Sequence, residues 1–261
     1  MISNLLRNKK ILITGASSGL GFSMTKALGA NGASVLMTSR TTDKLDKALR
    51  TLLDDQISAY SLDMDVRNEE SVLKAVQWVE KHWGSLDMLI NNAGIGMRTV
   101  NPRFLTDPKP FFEVSPEGFR DVIETNLTGY FLVAKAFIPI FRKQKKGKII
   151  NISMNHETMK RKGFVPYGPS RAGGESLSYI MAEDLREFHI DVNILLPGGA
   201  TETGMIPEDF QRSSHPNFKL LNPDIMAEPV IFLASDESNG ITGQRIVATQ
   251  FKEWKQNLKL P

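Results

Sequence analysis

The chain has 261 residues, 41% of them hydrophobic and 23% charged, with a formal net charge of +3. That is enough chain and apolar content for a substantial core, and no stretch is low-complexity. It has no cysteine, which excludes disulfides, a thiolate nucleophile and any cysteine-based metal site, and which fits a reducing compartment.

The basic excess is mild. Its densest run, "RKQKKGK" at 142–148, carries no aromatic residue and reads as a solvated helix end, where cations favour the C-terminal dipole. Neither a nucleic-acid face nor a membrane surface is expected. The four histidines, His82, His156, His189 and His215, show no ligand spacing, so no metal is expected either. No apolar run approaches the roughly 18 residues a membrane span needs. The N-terminal "MISNLLRNKK" is too short and polar for a signal peptide. A cytoplasmic protein is expected.

In chain order, "KILIT" (10–14) reads as a buried strand and 19–31 as a helix. "SVLMTS" (34–39) is the second strand, "DKLDKALRTLL" (43–53) the second helix and "AYSLDMDV" (59–66) the third strand. "EESVLKAVQWVEKHW" (69–83) has apolar residues at helical spacing, and "LDMLINNAG" (86–94) is a strand ending in a turn. One long helix is predicted over about 116–144, then the strand "GKIINIS" (147–153) and a helix over about 167–188. "IDVNILLP" (190–197), "PDIMAEPVIFLAS" (223–235) and "QRIVAT" (244–249) follow as strand, helix and strand. Apolar strands separated by helices indicate a parallel sheet covered on both faces, with right-handed crossovers: a doubly wound, Rossmann-type α/β fold. No linker or repeat interrupts it, so residues 1–261 are expected to form one domain. Pro and Gly gather in a loop at 95–115 and a lid-like loop at 198–222, and 250–261 reads as a tail.

"TGASSGLG" lies directly after the first strand and before a helix. Gly15 and Gly19, with Gly21, let a backbone turn tightly and approach a pyrophosphate. Ser17, Ser18 and Leu20 complete the loop, and the helix N-terminus offers free N–H groups to the anion. The end of the second strand selects the cofactor. An acid there would bind the adenosine ribose hydroxyls, but the chain reads "TSR". Arg40 can grip a 2′-phosphate in bidentate fashion, so NADP(H) is expected over NAD(H). Asp65, with Val66 beside it, is placed to meet the adenine amino group.

These residues, with "NNAG" (91–94), Asn126 in "NLTGYF", Tyr167 in "YGPSR" and "PGG" (197–199), resemble the short-chain dehydrogenase/reductase family over about residues 9–249. The resemblance implies about seven parallel strands, a nicotinamide dinucleotide, and hydride transfer to or from a small or medium carbonyl or alcohol. It also implies a homo-tetramer or homodimer. By the same resemblance Asn92, Ala93 and Gly94 line the adenosine side. Tyr167 is the general acid or base and Asn126 holds a relay water. Pro197 and Gly198 contact the nicotinamide, with Thr201 or Thr203 near its carboxamide.

Three positions depart from the family's pattern. Arg171 stands where a lysine is usual. A nearby cation still favours phenolate, but an arginine does not release a proton and its planar fork has another shape. Met154 stands where a carbonyl-orienting serine is usual, leaving Ser153, Asn155 or nothing polar to fill that role. The stretch 96–114 is about ten residues longer than the family's pattern, and it contains Phe104, Phe111 and Phe112. It is expected to wall the substrate site or to serve a subunit contact or packing. The reading is an NADP(H)-dependent oxidoreductase with an altered catalytic set. The alternative is a non-catalytic dinucleotide-binding sensor or structural protein of the same fold.

Overall fold

The computed structural model describes residues 4–207 and 219–258. Seven strands form one parallel sheet: β1 (Lys10–Thr14), β2 (Ser34–Ser39), β3 (Ala59–Asp63), β4 (Met88–Asn91), β5 (Gly147–Ile152), β6 (Ile190–Leu196) and β7 (Arg245–Val247). Their order is β3-β2-β1-β4-β5-β6-β7. Ile13 of β1 pairs with Met37 on one side and Ile90 on the other. The chain reverses direction across the sheet between β1 and β4, and in such sheets ligands bind beyond the carboxyl ends at that switch point.

Side chains alternate between the two faces of each strand. Ile11 and Ile13 enter one apolar cluster with Val35, Met37 and Ile90, while Leu12, Leu36 and Leu89 enter the other. Both faces are therefore covered by helices: α1 (Gly19–Ala30), α2 (Thr42–Asp54), α3 (Glu69–His82), α4 (Pro116–Ile123), α5 (Gly129–Gln144), α6 (His156–Met159), α7 (Tyr167–Asp184), α8 (Ala227–Ala234) and α9 (Phe251–Gln256). Helix α3 shows how local sequence sets an element. The Asn68 side chain accepts from the Ser71 N–H at 2.8 Å, acids fill the first turn, and Lys81 and His82 close the last. Val72, Ala75, Val76 and Val79 form its buried face.

The helix expected over 116–144 is divided. A π-helical turn, Glu124–Thr128, separates α4 from α5. Such widened turns gather at functional sites. This one carries Asn126, whose amide hydrogen-bonds Ile95 in the segment after β4. The third strand ends at Asp63 rather than at 66, because Asp65 turns to meet Arg67. The expected tail contains α9, whose Phe251 and Trp254 pack on Phe232. In the loop expected at 198–222, Thr201 bridges to Leu221, and the middle of that loop lies outside the described residues, as does His215. No described helix is long and apolar enough to cross a membrane, and the described residues hold no cluster of three or more His, Asp or Glu able to bind a metal.

Candidate active site

The turn after β1 is built around glycine. Gly15 (φ +66°) and Gly19 (φ +55°) occupy the left-handed region, which disfavours any side chain. A Cβ on Gly15 would lie 2.7 Å from the Ala93 Cα, and one on Gly21 would collide with the Gly15 carbonyl and the Asn92 amide. The "NNAG" turn is tied to this loop. The Thr14 hydroxyl accepts from the N–H groups of Asn92 (3.0 Å) and Ala93 (2.9 Å), and the Asn92 amide donates to the carbonyls of Thr14 and Gly15. Helix α1 starts at this cradle with no side-chain cap and no acid in its first turn. Its N-terminal N–H groups and positive dipole end are thus left for an anion.

A cleft of about 640 Å³ opens over the cradle. Gly15, Ser17, Ser18, Gly19 and Leu20 line it, with Arg40, Val66, Asn92, Ala93 and Gly94. Further along lie Ser153, Asn155, Tyr167, Arg171, Pro197, Thr201 and Thr203. The fold therefore gathers almost every residue expected to touch a dinucleotide. A cradle that any Cβ would fill, an uncapped helix start and a cationic rim fit a pyrophosphate nucleotide.

Arg40 is exposed at the end of β2, with Lys44 also on the cleft. Asp65 is placed differently. Its carboxylate is held by the Arg67 guanidinium at 2.8 Å and lies beside a neighbouring depression instead. Hydrogen bonding to Arg67, aided by the charge of Arg40, keeps that carboxyl below its ordinary range. Gly198, at φ +98°, turns its carbonyl toward the Asn155 amide, 3.1 Å away.

At the reactive end, Tyr167 begins α7 and its hydroxyl donates to the Met205 sulfur at 3.8 Å. Arg171 sits one turn on, 3% exposed, with its guanidinium 5.2 Å from the Tyr167 ring centre. Its Nη1 donates inward, to the Tyr130 hydroxyl at 2.6 Å and the Ile152 carbonyl at 2.9 Å. Its buried Nε has no partner. Burial opposes the arginine's charge, yet the facing Tyr130 and Tyr167 phenols outweigh it and raise its pKa further. Arg171 is therefore a permanent cation. Burial raises the Tyr130 phenol, which stays protonated and donates to the Ile152 carbonyl at 3.1 Å.

Asn126 is fully buried. Its amide nitrogen donates to the Ile95 carbonyl (2.9 Å) and the Ser170 hydroxyl (3.2 Å), and its oxygen accepts from the Ile95 N–H. Both side-chain hydrogens are thus committed to holding the strand end against α7. The Ser153 hydroxyl donates to Glu175 at 2.6 Å, while Arg245 and His156 grip the same carboxylate. The Met154 side chain instead joins an apolar cluster with Tyr167, Met97, Phe104 and Phe164.

Of the three aromatics in the inserted stretch, Phe104 reaches the cleft. Phe111 and Phe112 are 72% and 73% exposed and pack edge-on against each other. Sequence reasoning did not find Tyr130, Glu175, Met97 or Met205. Glu175 had a signal, since it follows Tyr167 and Arg171 at four-residue steps and so shares their helix face. Tyr130, Met97 and Met205 had none, because α5 and the segments after β4 and β6, separated by long stretches of chain, bring them to the site.

This geometry defines a dinucleotide-binding α/β protein with a phenol and a buried cation at the reactive end of its cleft. The model of the short chain dehydrogenase family matches residues 9–213, and the chain belongs to that family and is an oxidoreductase. It is 30% identical over 247 residues to the 2-dehydro-3-deoxy-D-gluconate 5-dehydrogenase of Formosa agariphila, covering 91% of this chain and 90% of that one. It is 33% identical over 193 residues to the 5-keto-D-gluconate 5-reductase of Escherichia coli, covering 74% and 72%. A crystal structure of a gluconate 5-dehydrogenase from Burkholderia cenocepacia, in complex with NADP and tartrate, superposes with a TM-score of 0.81 at 26% identity. It covers 96% of this chain and 98% of that one.

Proposed function

We propose that the protein is an NADP(H)-dependent carbonyl reductase or alcohol dehydrogenase whose proton passes through Tyr167. The observation that carries this reading is the Tyr167 hydroxyl in the same cleft as the glycine cradle, backed by the buried Arg171 cation. Gly15, Ser17, Ser18, Gly19 and Leu20 would hold the pyrophosphate. Asn92, Ala93 and Gly94 would hold the adenosine side, with Val66 at the adenine. Pro197 and Thr201 or Thr203 would hold the nicotinamide. Arg40, with Lys44 near it, supports the 2′-phosphate form, and the NADP in the Burkholderia structure points the same way.

The nicotinamide, when bound, supplies or takes the hydride. Tyr167 gives its phenolic proton to the substrate oxygen in reduction and takes it back in oxidation. The Arg171 guanidinium stands 5.2 Å from the Tyr167 ring centre, on the helical turn that follows the phenol. Arg171 keeps its own proton, so Tyr167 is recharged through the open cleft. Asn126 acts by fixing Ile95 and Ser170, and no side-chain N–H is left on it to bind a water. Ser153 gives its single hydroxyl hydrogen to Glu175, whereas Asn155 gives one of its two amide hydrogens to Gly198 and has a second to offer a substrate oxygen in place of the usual serine. Exposed Phe119, Phe131, Tyr179 and Ile180 on α4, α5 and α7 support a homo-oligomer, which light scattering would measure.

The test is NADPH and NADH oxidation with a broad set of carbonyls. Tyr167→Phe should lower turnover by about 10²–10⁴-fold. Arg40→Ala should raise the KM for NADPH about tenfold or more and leave NADH little changed. Turnover that survives in Tyr167→Phe refutes the phenol's role. Tight cofactor binding with no turnover on any carbonyl would favour the non-catalytic reading.

A further inference from the structure

The wall in front of Tyr167 is almost wholly apolar. Met97, Phe104 and Phe164 are each at most 6% exposed and form one cluster, against which Met154 and Tyr167 pack. The rings of Phe104 and Phe164 meet edge to face at 5.7 Å. Met205 closes the opposite side, its side chain 3.4 Å from where a Cβ on Gly96 would stand. All five of these methionine and phenylalanine side chains line the same cleft as Tyr167. Aromatic faces and polarisable thioethers make such a chamber adaptable to hydrocarbon of varied shape.

Most neighbouring polar side chains are engaged elsewhere. Ser153 donates to Glu175, and Asn155 gives one of its two amide hydrogens to the Gly198 carbonyl, keeping the other for a carbonyl oxygen. Asn101, buried beneath the inserted stretch, donates to the Asp107 carbonyl and accepts from the Arg103 N–H. Thr99 donates to the Gly96 carbonyl. Arg161 lies over the Phe164 ring at 5.5 Å, and Thr158 and Arg98 also line the cleft; both arginines are exposed, and Arg98 donates to the Gly204 carbonyl at 3.2 Å.

Resting on the reading of Tyr167 as the proton donor, we infer that the substrate is a carbonyl compound flanked by alkyl or aryl groups, not a polyhydroxy acid of the gluconate kind. A sugar acid would bring several hydroxyls against Met97, Met154, Phe104 and Phe164, and each would lose water without gaining a partner. The residue at 154 sharpens this, because it removes a hydroxyl beside the reacting carbonyl and adds a thioether to the wall. In reduction, the hydride from NADPH adds to the carbonyl carbon and the Tyr167 proton goes to its oxygen. NADP⁺ and a secondary alcohol result.

The experiment compares 2-octanone and 1-phenyl-2-propanone with 5-ketogluconate, using wild-type protein and NADPH. Binding of each compound to the NADP⁺-loaded protein is followed by calorimetry. The apolar ketones should exceed 5-ketogluconate in kcat/KM by about 100-fold or more, the discrimination expected when polar groups go unpaired. Phe164→Ser should lower kcat/KM for the apolar ketones and leave the KM for NADPH unchanged. Equal or better turnover of 5-ketogluconate, lost in Tyr167→Phe, would overturn the chamber inference while the oxidoreductase reading stands. Apolar ketones that bind but are not reduced would support the chamber and count against the reading. Failure of both apolar ketones to bind or react overturns the inference even if Phe164→Ser does not fold.

Discussion

Removing one oxygen atom, in Tyr130→Phe, tests how Arg171 is held. The guanidinium is buried and gives Nη1 to two acceptors, the Tyr130 hydroxyl at 2.6 Å and the Ile152 carbonyl at 2.9 Å. Its Nε already lacks a partner. The variant therefore leaves a buried cation on one acceptor. A hydrogen bond to a charged group contributes about 1.5–3 kcal/mol. The Tyr130 ring is itself fully packed, so phenylalanine leaves no cavity; the loss is this bond together with the hydroxyl's own donation to the Ile152 carbonyl, which keeps Arg171 as a partner. Near 2 kcal/mol, the melting temperature of a chain this size should fall by about 4–8 °C. Calorimetric melts of Tyr130→Phe, Arg171→Lys and the double variant complete a cycle. A coupling of at least about 1 kcal/mol is expected, since a lysine lacks the fork that reaches both acceptors. Tyr130→Phe should also slow turnover, because Arg171 is then freer to leave the Tyr167 ring. A variant as stable and as active as wild type would refute the claim that this phenol positions the cation.

Arg171→Lys should raise kcat about tenfold and shift its pH profile, since an ammonium can release a proton where a guanidinium does not. Lower activity would show that the arginine is specialised for this site. Met154→Ser should lower kcat/KM for the apolar ketones relative to hydroxylated ones, read from the same substrate pairs. Lys148 is partly buried and donates to the Ser235 carbonyl and the Ser238 hydroxyl, and the desolvation of its ammonium lowers its pKa to about 8. The folded state then loses its proton before the unfolded state, whose lysine titrates near 10.4. Stability should therefore rise between about pH 8 and 10.4, by up to about 3 kcal/mol, and the rise should be absent from Lys148→Met. Denaturant midpoints of both proteins across that range decide it, and parallel curves would exclude Lys148 as the cause. Gly94→Ala should cost turnover more than stability, because its Cβ would lie 2.5 Å from Arg171 Nη2 and 3.1 Å from Asn126 Oδ1. An unchanged kcat would argue that this contact is slack.

The alternation of apolar strands and helices determined the doubly wound sheet, because burial on both faces leaves a periodic trace in the chain itself. The nucleotide cradle was equally legible. Gly15 and Gly19 answer a local backbone demand, and a positive φ is met by residue type at that position alone. Tyr167 and Arg171 were legible as a pair because one helical turn sets their spacing. The direction in which Arg171 points was not. Tyr130 lies 41 positions away, and only the packing of α5 against β5 brings its hydroxyl within 2.6 Å. The same holds for Asp65, whose pairing with Arg67 depended on how the chain turns after β3. The π turn at Glu124–Thr128 left no periodic mark, and its Asn126 meets the distant Ile95 backbone only in the folded chain. The apolar chamber is assembled from loops after β4, β5 and β6, and only the tertiary structure could join Met97, Met154 and Met205 around one phenol. Local physics is written residue by residue, whereas partners across the fold are chosen by burial and distance.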